Sequence, residues 1–127
     1  SKASAKIHFT GKVQNVAKYY SIADLFILPS QNIGRKEGCP VALLEALASG
    51  LNVIAGKVSG IKDILKEFPD NLFKPDSIEQ LCNKIELNLD DSSVKNKLFM
   101  NLQQNYNIEI EVERHKNVYR EILNPQK

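Results

Sequence analysis

With 127 residues, 43% of them hydrophobic and 25% charged, the chain has the size and composition of one soluble globular domain, and none of the bias that marks disorder, collagen or low complexity. Its 17 basic and 15 acidic residues are spread along the sequence without a basic cluster, which argues against a nucleic-acid partner. Cys39 and Cys82 lie far apart with no C-x-x-C or histidine at ligand spacing, which argues against a zinc site and for free thiols in a reducing, cytoplasmic setting. No apolar run approaches the ~18 residues of a membrane span, and the start S-K-A-S-A-K is not followed by a signal-peptide core.

The segment I-H-F-T-G, residues 7–11, is rich in β-branched and aromatic residues and predicts a strand closed by glycine. A helix capped by Asn15 follows, with Val16, Tyr19, Tyr20 and Ala23 on one face. D-L-F-I-L-P-S, residues 24–30, reads as a strand covered on both faces. After the polar loop Q-N-I-G-R-K-E-G comes a helix over residues 40–49, with Pro40 inside its start and Gly50 past its end. L-N-V-I-A-G, residues 51–56, predicts a strand, S-G-I-K-D-I-L a helical turn, and N-L-F, residues 71–73, a brief last strand. Alternating strands and helices define an α/β class, a Rossmann-like parallel sheet of about four strands with helices on both faces.

From Ser77 onward the pattern is helical. Ile78, Leu81, Cys82, Ile85 and Leu89 share one face, and Val94, Leu98 and Leu102 mark a second helix. The string I-E-I-E-V-E alternates like a strand, but Val112, His115, Tyr119 and Ile122 return to helical spacing, so it is read as a helix. The sequence shows no internal repeat or linker.

The stretch E-G-C-P-V-A-L-L-E-A-L-A-S-G, residues 37–50, places two carboxylates in the most apolar part of the chain. On a helical wheel Glu45 and Ser49 are the polar neighbours on an otherwise apolar helix, which predicts at least partial burial of Glu45. A buried carboxylate needs a hydrogen-bonding partner, and a ligand hydroxyl can be that partner. Side chains lean toward the helix N-terminus, so Glu45 aims back toward Glu37, where the backbone amides of residues 38, 39 and 41 and the helix dipole favour an anion such as phosphate. A solvated Glu45 and a Glu37 that merely complements the dipole would show the same spacing. The residues themselves leave both readings open.

The motif E-GCPVALL-E, with seven residues between its glutamates, resembles the donor-binding segment of retaining glycosyltransferases of family 4, which have the GT-B fold. Its flanks, G-K-V-Q-N-V-A-K-Y-Y-S-I-A-D-L-F-I-L-P-S and A-L-A-S-G-L-N-V-I-A followed by V-S-G-I-K-D-I-L, are similar to the same family, so the resemblance covers residues 7–73. It implies the C-terminal part of a GT-B enzyme that binds a nucleotide-diphosphate sugar and transfers the sugar, with retention, to a glycan or lipid-linked acceptor held by an N-terminal domain. Polysaccharide biosynthesis is the expected context, at the cytoplasmic side and at most peripheral to the membrane.

Residue by residue, the resemblance implies that Glu37 is the catalytic-site acid holding hydroxyls of the transferred sugar and that Glu45 accepts hydrogen bonds from the nucleotide ribose. It further implies that Gly38, Cys39, Pro40 and Val41 line the diphosphate and sugar. No metal or other cofactor is implied. Cys39 and Pro40 depart from the Phe-Gly found in many members, and Pro40 removes one amide donor. His8 and His115 are read as structural, and Lys57, Lys62 and Lys66 as solvated.

Such an enzyme would also contain upstream strands and an acceptor domain, so the 127 residues by themselves are expected to be inactive. In a sheet of order 3-2-1-4-5-6 the strand at Ile7 would match strand three and the strand at Leu25 strand four. Either these two pair directly, or two copies of the chain pair across an exposed edge as a homodimer. The rival reading is a non-catalytic Rossmann-like interaction or regulatory module. A dinucleotide-dependent oxidoreductase fails on the missing G-x-G-x-x-G.

Overall fold

The computed structural model describes residues 6–31, 40–89 and 91–123. In chain order these form α1 (Ala17–Tyr20), β1 (Leu25–Leu28), α2 (Val41–Ala48), β2 (Asn52–Gly56), α3 (Ile61–Ile64), a 3-10 turn (Pro69–Asn71), β3 (Leu72–Phe73), α4 (Ile78–Asn88), α5 (Ser92–Asn105) and α6 (Ile108–Leu123). The three strands are parallel in the order β1-β2-β3, with Leu25 opposite Asn52, Leu28 opposite Ala55, and Ala55 opposite Leu72.

The central strand is the most deeply covered, as a continuous apolar run predicts. Every residue of β2 is buried. Side chains alternate across a strand, so Val53 and Ala55 face a core built by Leu43, Ala46 and Leu47 of α2 and Leu98 and Leu102 of α5. Asn52 faces the other way and donates to the backbone oxygen of Asn88 at the end of α4. Helices α2 and α5 thus cover one side of β2 and α4 the other, which is the predicted α/β layering.

Helix boundaries follow local chemistry. Pro40 is the extended N-cap of α2 and Gly50, at φ 73°, closes it in the left-handed region that a Cβ disfavours. Ser77 caps α4 through the amide of Gln80, and Asp91 caps α5 through the amides of Ser93 and Val94.

Several expectations are corrected. Residues 6–11 form no strand and are exposed, Ile7 at 77% and Phe9 at 93%, because among the described residues no strand lies beside them to complete a ladder. The sheet therefore has three strands among the described residues rather than about four, and the direct pairing of the Ile7 segment with β1 does not occur. Helix α1 is one turn, its N-cap is Val16 without a side-chain bond, and only Tyr20 of its apolar face is buried. Strand β1 is half-buried throughout rather than fully covered. The predicted face of α4 is split: Leu81 and Ile85 are half-buried, whereas Ile78, Cys82 and Leu89 are exposed. Helix α6 forms as its 3.6-residue spacing predicts, but none of its residues is buried.

Candidate functional site

The C-terminal ends of the three parallel strands lie along one edge of the sheet, the side on which open α/β sheets bind ligands. The chain is tight there. A Cβ at Gly56 would collide with the carbonyl oxygen of Ser30, just beyond β1, so glycine is what lets these two strand ends approach. The amide of Lys57 donates to the oxygen of Phe73 at 2.8 Å. Gln31 Nε2 donates to Asp76 Oδ1 at 2.6 Å, and Asp76 holds φ 69°. A small cavity of about 180 Å³ beside this clasp is lined by Pro29, Phe73, Ile78 and Leu81.

Helix α2 starts from this edge. Its own hydrogen bonds begin with Leu43 and Leu44 donating to the Pro40 oxygen, so the amides of Val41 and Ala42 have no intrahelical acceptor. Pro40 is buried and Val41 is 65% exposed. Leu43, Ala46 and Leu47 turn into the core, which leaves Val41, Glu45, Ala48 and Ser49 as an exposed stripe. Glu45 is therefore exposed, contrary to the burial expected from the wheel. The apolar arc of α2 is wider than the contact it makes, because among the described residues the main layer against α2 is β2 and α5.

Glu45 nevertheless has a fixed neighbour. The Tyr20 hydroxyl, from α1, donates to Glu45 Oε2 at 3.4 Å. Tyr20 is 8% exposed, and its ring meets Phe26 of β1 edge to face, with centroids 5.8 Å apart and planes at 81°. Burial, and then the charge of and hydrogen bond to Glu45, push the Tyr20 phenol above the ordinary tyrosine value. Twenty-five residues separate this pair, so no periodicity in the sequence could reveal it. Tyr20 is the site residue that the sequence alone does not show.

Of the other predicted site residues, Glu37, Gly38 and Cys39 lie outside the described residues, while Pro40, Val41 and Glu45 stand together on the first turns of α2. His8 is exposed, and His115 Nδ1 lies 2.7 Å from the Glu111 oxygen on the exposed α6. Lys57, Lys62 and Lys66 are exposed. Among the described residues no cluster of His, Cys, Asp and Glu could hold a metal ion, and no helix is long and apolar enough to cross a membrane. A cavity of about 460 Å³ between Phe68 and Met100 shares no residue with this edge.

A parallel α/β sheet of this kind binds its ligands in the crevice outside the carboxyl ends of its strands. Comparison with known families makes the class definite: the chain belongs to the family described as Glycosyl transferases group 1, whose sequence pattern matches residues 2–109. It is similar to the N,N'-diacetylbacillosaminyl-diphospho-undecaprenol alpha-1,3-N-acetylgalactosaminyltransferase of Campylobacter jejuni, at 28% identity over 94% of this chain and 32% of that protein. It is also similar to a sulfoquinovosyl transferase of Arabidopsis thaliana, at 32% identity over 68% of this chain and 18% of that protein. An amylovoran biosynthesis glycosyltransferase of Erwinia amylovora is 36% identical over 60% of this chain and 19% of its own length. The chain thus spans about a third or less of these relatives. No solved structure matches it significantly.

Proposed function

We propose that this chain is the donor-binding portion of a retaining, family 4 glycosyltransferase of GT-B fold, which takes a sugar from a nucleotide diphosphate to a hydroxyl of a glycan or lipid-linked acceptor. The observation that carries this reading is the exposed Glu45 on α2, the helix that starts at the carboxyl edge of the sheet, with the Tyr20 hydroxyl donating to its carboxylate. An ionised carboxylate accepts several hydrogen bonds and donates none, which suits a pair of ribose hydroxyls. Val41 and Ala42 supply amides and a positive helix end for the leaving diphosphate, where negative charge grows in the transition state. Glu37 binds hydroxyls of the transferred sugar, and Gly38, Cys39 and Pro40 line that space. The reaction uses no metal or other cofactor, takes place at the cytoplasmic face of the membrane or in the cytoplasm, and needs the acceptor side of the cleft, so these 127 residues form one nucleotide-sugar-binding domain that is inactive alone.

The three relatives support the reading in kind: the first is named for transfer to a lipid-linked diphospho-undecaprenol substrate and the third for amylovoran biosynthesis. Titrating the full-length protein with UDP, GDP and ADP tests it. One base is expected to bind best, and Glu45→Ala is expected to weaken that binding by roughly 10- to 100-fold, the worth of about 1.5–3 kcal/mol for hydrogen bonds to a charged group. Equal affinity in the variant removes Glu45 from the donor site and favours the interaction-module reading. That alternative draws on α6, where Ile108, Tyr119 and Ile122 are 73%, 62% and 67% exposed, an apolar stripe of the kind that marks a protein contact.

A further inference from the structure

Tyr20 is not a packing residue alone. It is the only buried residue of the one-turn helix α1, its amide is held by the Val16 oxygen at 3.2 Å, and its ring is fixed against Phe26. A phenylalanine would fill the same volume. The hydroxyl adds a donor to a residue that is 8% exposed, where an O–H usually finds an acceptor, and the acceptor it meets is Oε2 of Glu45.

We infer that Tyr20 is a positioning residue: its hydroxyl holds the Glu45 carboxylate in the orientation that accepts two vicinal ribose hydroxyls, without touching the nucleotide itself. The inference rests on the donor-site reading of Glu45 given above. An exposed glutamate has three freely rotating side-chain bonds, and ordering them opposes binding; a hydrogen bond made before the ligand arrives removes part of that cost. A carboxylate has about four lone-pair directions, so one hydrogen bond from Tyr20 leaves room for two from a diol. The separation of 3.4 Å is long for an O–H donor to a carboxylate, and contacts of this kind shorten when a ligand closes the site.

The test uses Tyr20→Phe in the full-length protein, with the best-bound of UDP, GDP and ADP and with its 2′,3′-dideoxy counterpart as probes. Tyr20→Phe is expected to weaken ribonucleotide binding about three- to tenfold, the usual worth of one net hydrogen bond. Affinity for the dideoxy nucleotide should stay unchanged. On a Glu45→Ala background the same substitution should have no further effect. Equal losses for both nucleotides, or no loss for either, would overturn the inference and leave Tyr20 a core residue.

A second readout needs no nucleotide. The phenol of Tyr20, followed by the ring Cζ resonance, should titrate above the ordinary tyrosine value and move down in Glu45→Ala, because the charge and the hydrogen bond are then gone. An unchanged titration overturns the pairing outright. The two readings fail differently. Loss of affinity in Glu45→Ala but not in Tyr20→Phe sinks the positioning role alone. Undiminished affinity in Glu45→Ala sinks the donor-site reading and with it the role assigned to Tyr20, even where the titration shows the pair to exist.

Discussion

Replacing Asn71 by leucine would remove the hub of a buried polar network at the end of the sheet opposite the candidate site. Asn71 is 2% exposed, and its Nδ2 donates to the Val53 oxygen at 2.7 Å, to Asn52 Oδ1 at 3.2 Å and to Asn88 Oδ1 at 3.4 Å. Two amide hydrogens serve three acceptors, so the longest contact is shared and counts least. Leucine keeps the branched shape, is the larger residue, and removes the donor. Asn52 Oδ1 retains the Val53 amide at 3.0 Å, so its loss is partial. The Val53 oxygen loses its closest side-chain donor in a site that water does not reach. A buried acceptor left short of a partner costs about 1–3 kcal/mol, and with the partial loss at Asn52 the sum is about 2–4 kcal/mol. Against a usual total of about 5–15 kcal/mol this is a large fraction.

Urea unfolding followed by circular dichroism measures it, with an unchanged m-value showing that the native and unfolded states are otherwise comparable. A loss below about 1 kcal/mol would refute the assignment of this network as a fold determinant. Asn71→Asp provides a second check. A carboxylate there would face the Val53 and Asn52 oxygens, which disfavours its charged form and raises its pKa in the folded state. A raised folded pKa means that the variant is most stable at low pH and loses that stability as pH rises through the raised value. Stability of Asn71→Asp that does not fall between about pH 4 and pH 7 contradicts the geometry.

Gly56→Ala should destabilise the protein by about 1–3 kcal/mol, because its Cβ meets backbone rather than a movable side chain. Amide chemical shifts of Leu28, Ser30 and Gln31 should move in that variant, and an unperturbed spectrum would show that the strand ends are not in close contact. Asp91 accepts hydrogen bonds from Ser93 Oγ at 2.8 Å, Ser93 N at 3.0 Å and Val94 N at 3.2 Å, and the Ser93 side chain foremost, then the Val94 amide, hold its carboxyl below the ordinary value. The protection this cap gives the first turn of α5 is therefore present above the ordinary aspartate pKa and lost as pH falls through the lowered one. Amide exchange at Ser93 and Val94 should show that loss, and Asp91→Asn should abolish its pH dependence.

Much of this protein was readable from spacing alone. The helix between Pro40 and Gly50 and the buried strand L-N-V-I-A-G follow from turn residues and composition, and the helices after Ser77 from periodicity, which act over a few residues and need no partner. The motif E-GCPVALL-E also lies open in the sequence, and with its flanks it pointed to a glycosyltransferase, the class that the match to Glycosyl transferases group 1 then established.

Where a residue's fate depended on what lies beside it in space, the sequence pattern misled or stayed silent. I-H-F-T-G has the composition of a strand, yet among the described residues no strand lies beside it and it stays exposed, since a ladder exists only between two strands. Helix α6 has its periodicity but none of its residues is buried. Glu45 was expected to be buried because the helix around it is apolar, but burial is set by the neighbours on each side, and α2 turns this one stripe outward. The contact from Tyr20 to Glu45 spans 25 residues and arises only once α1, β1 and α2 are packed. Local propensity is written along the chain; the surroundings of a carboxylate are decided by which distant side chain folding brings to it.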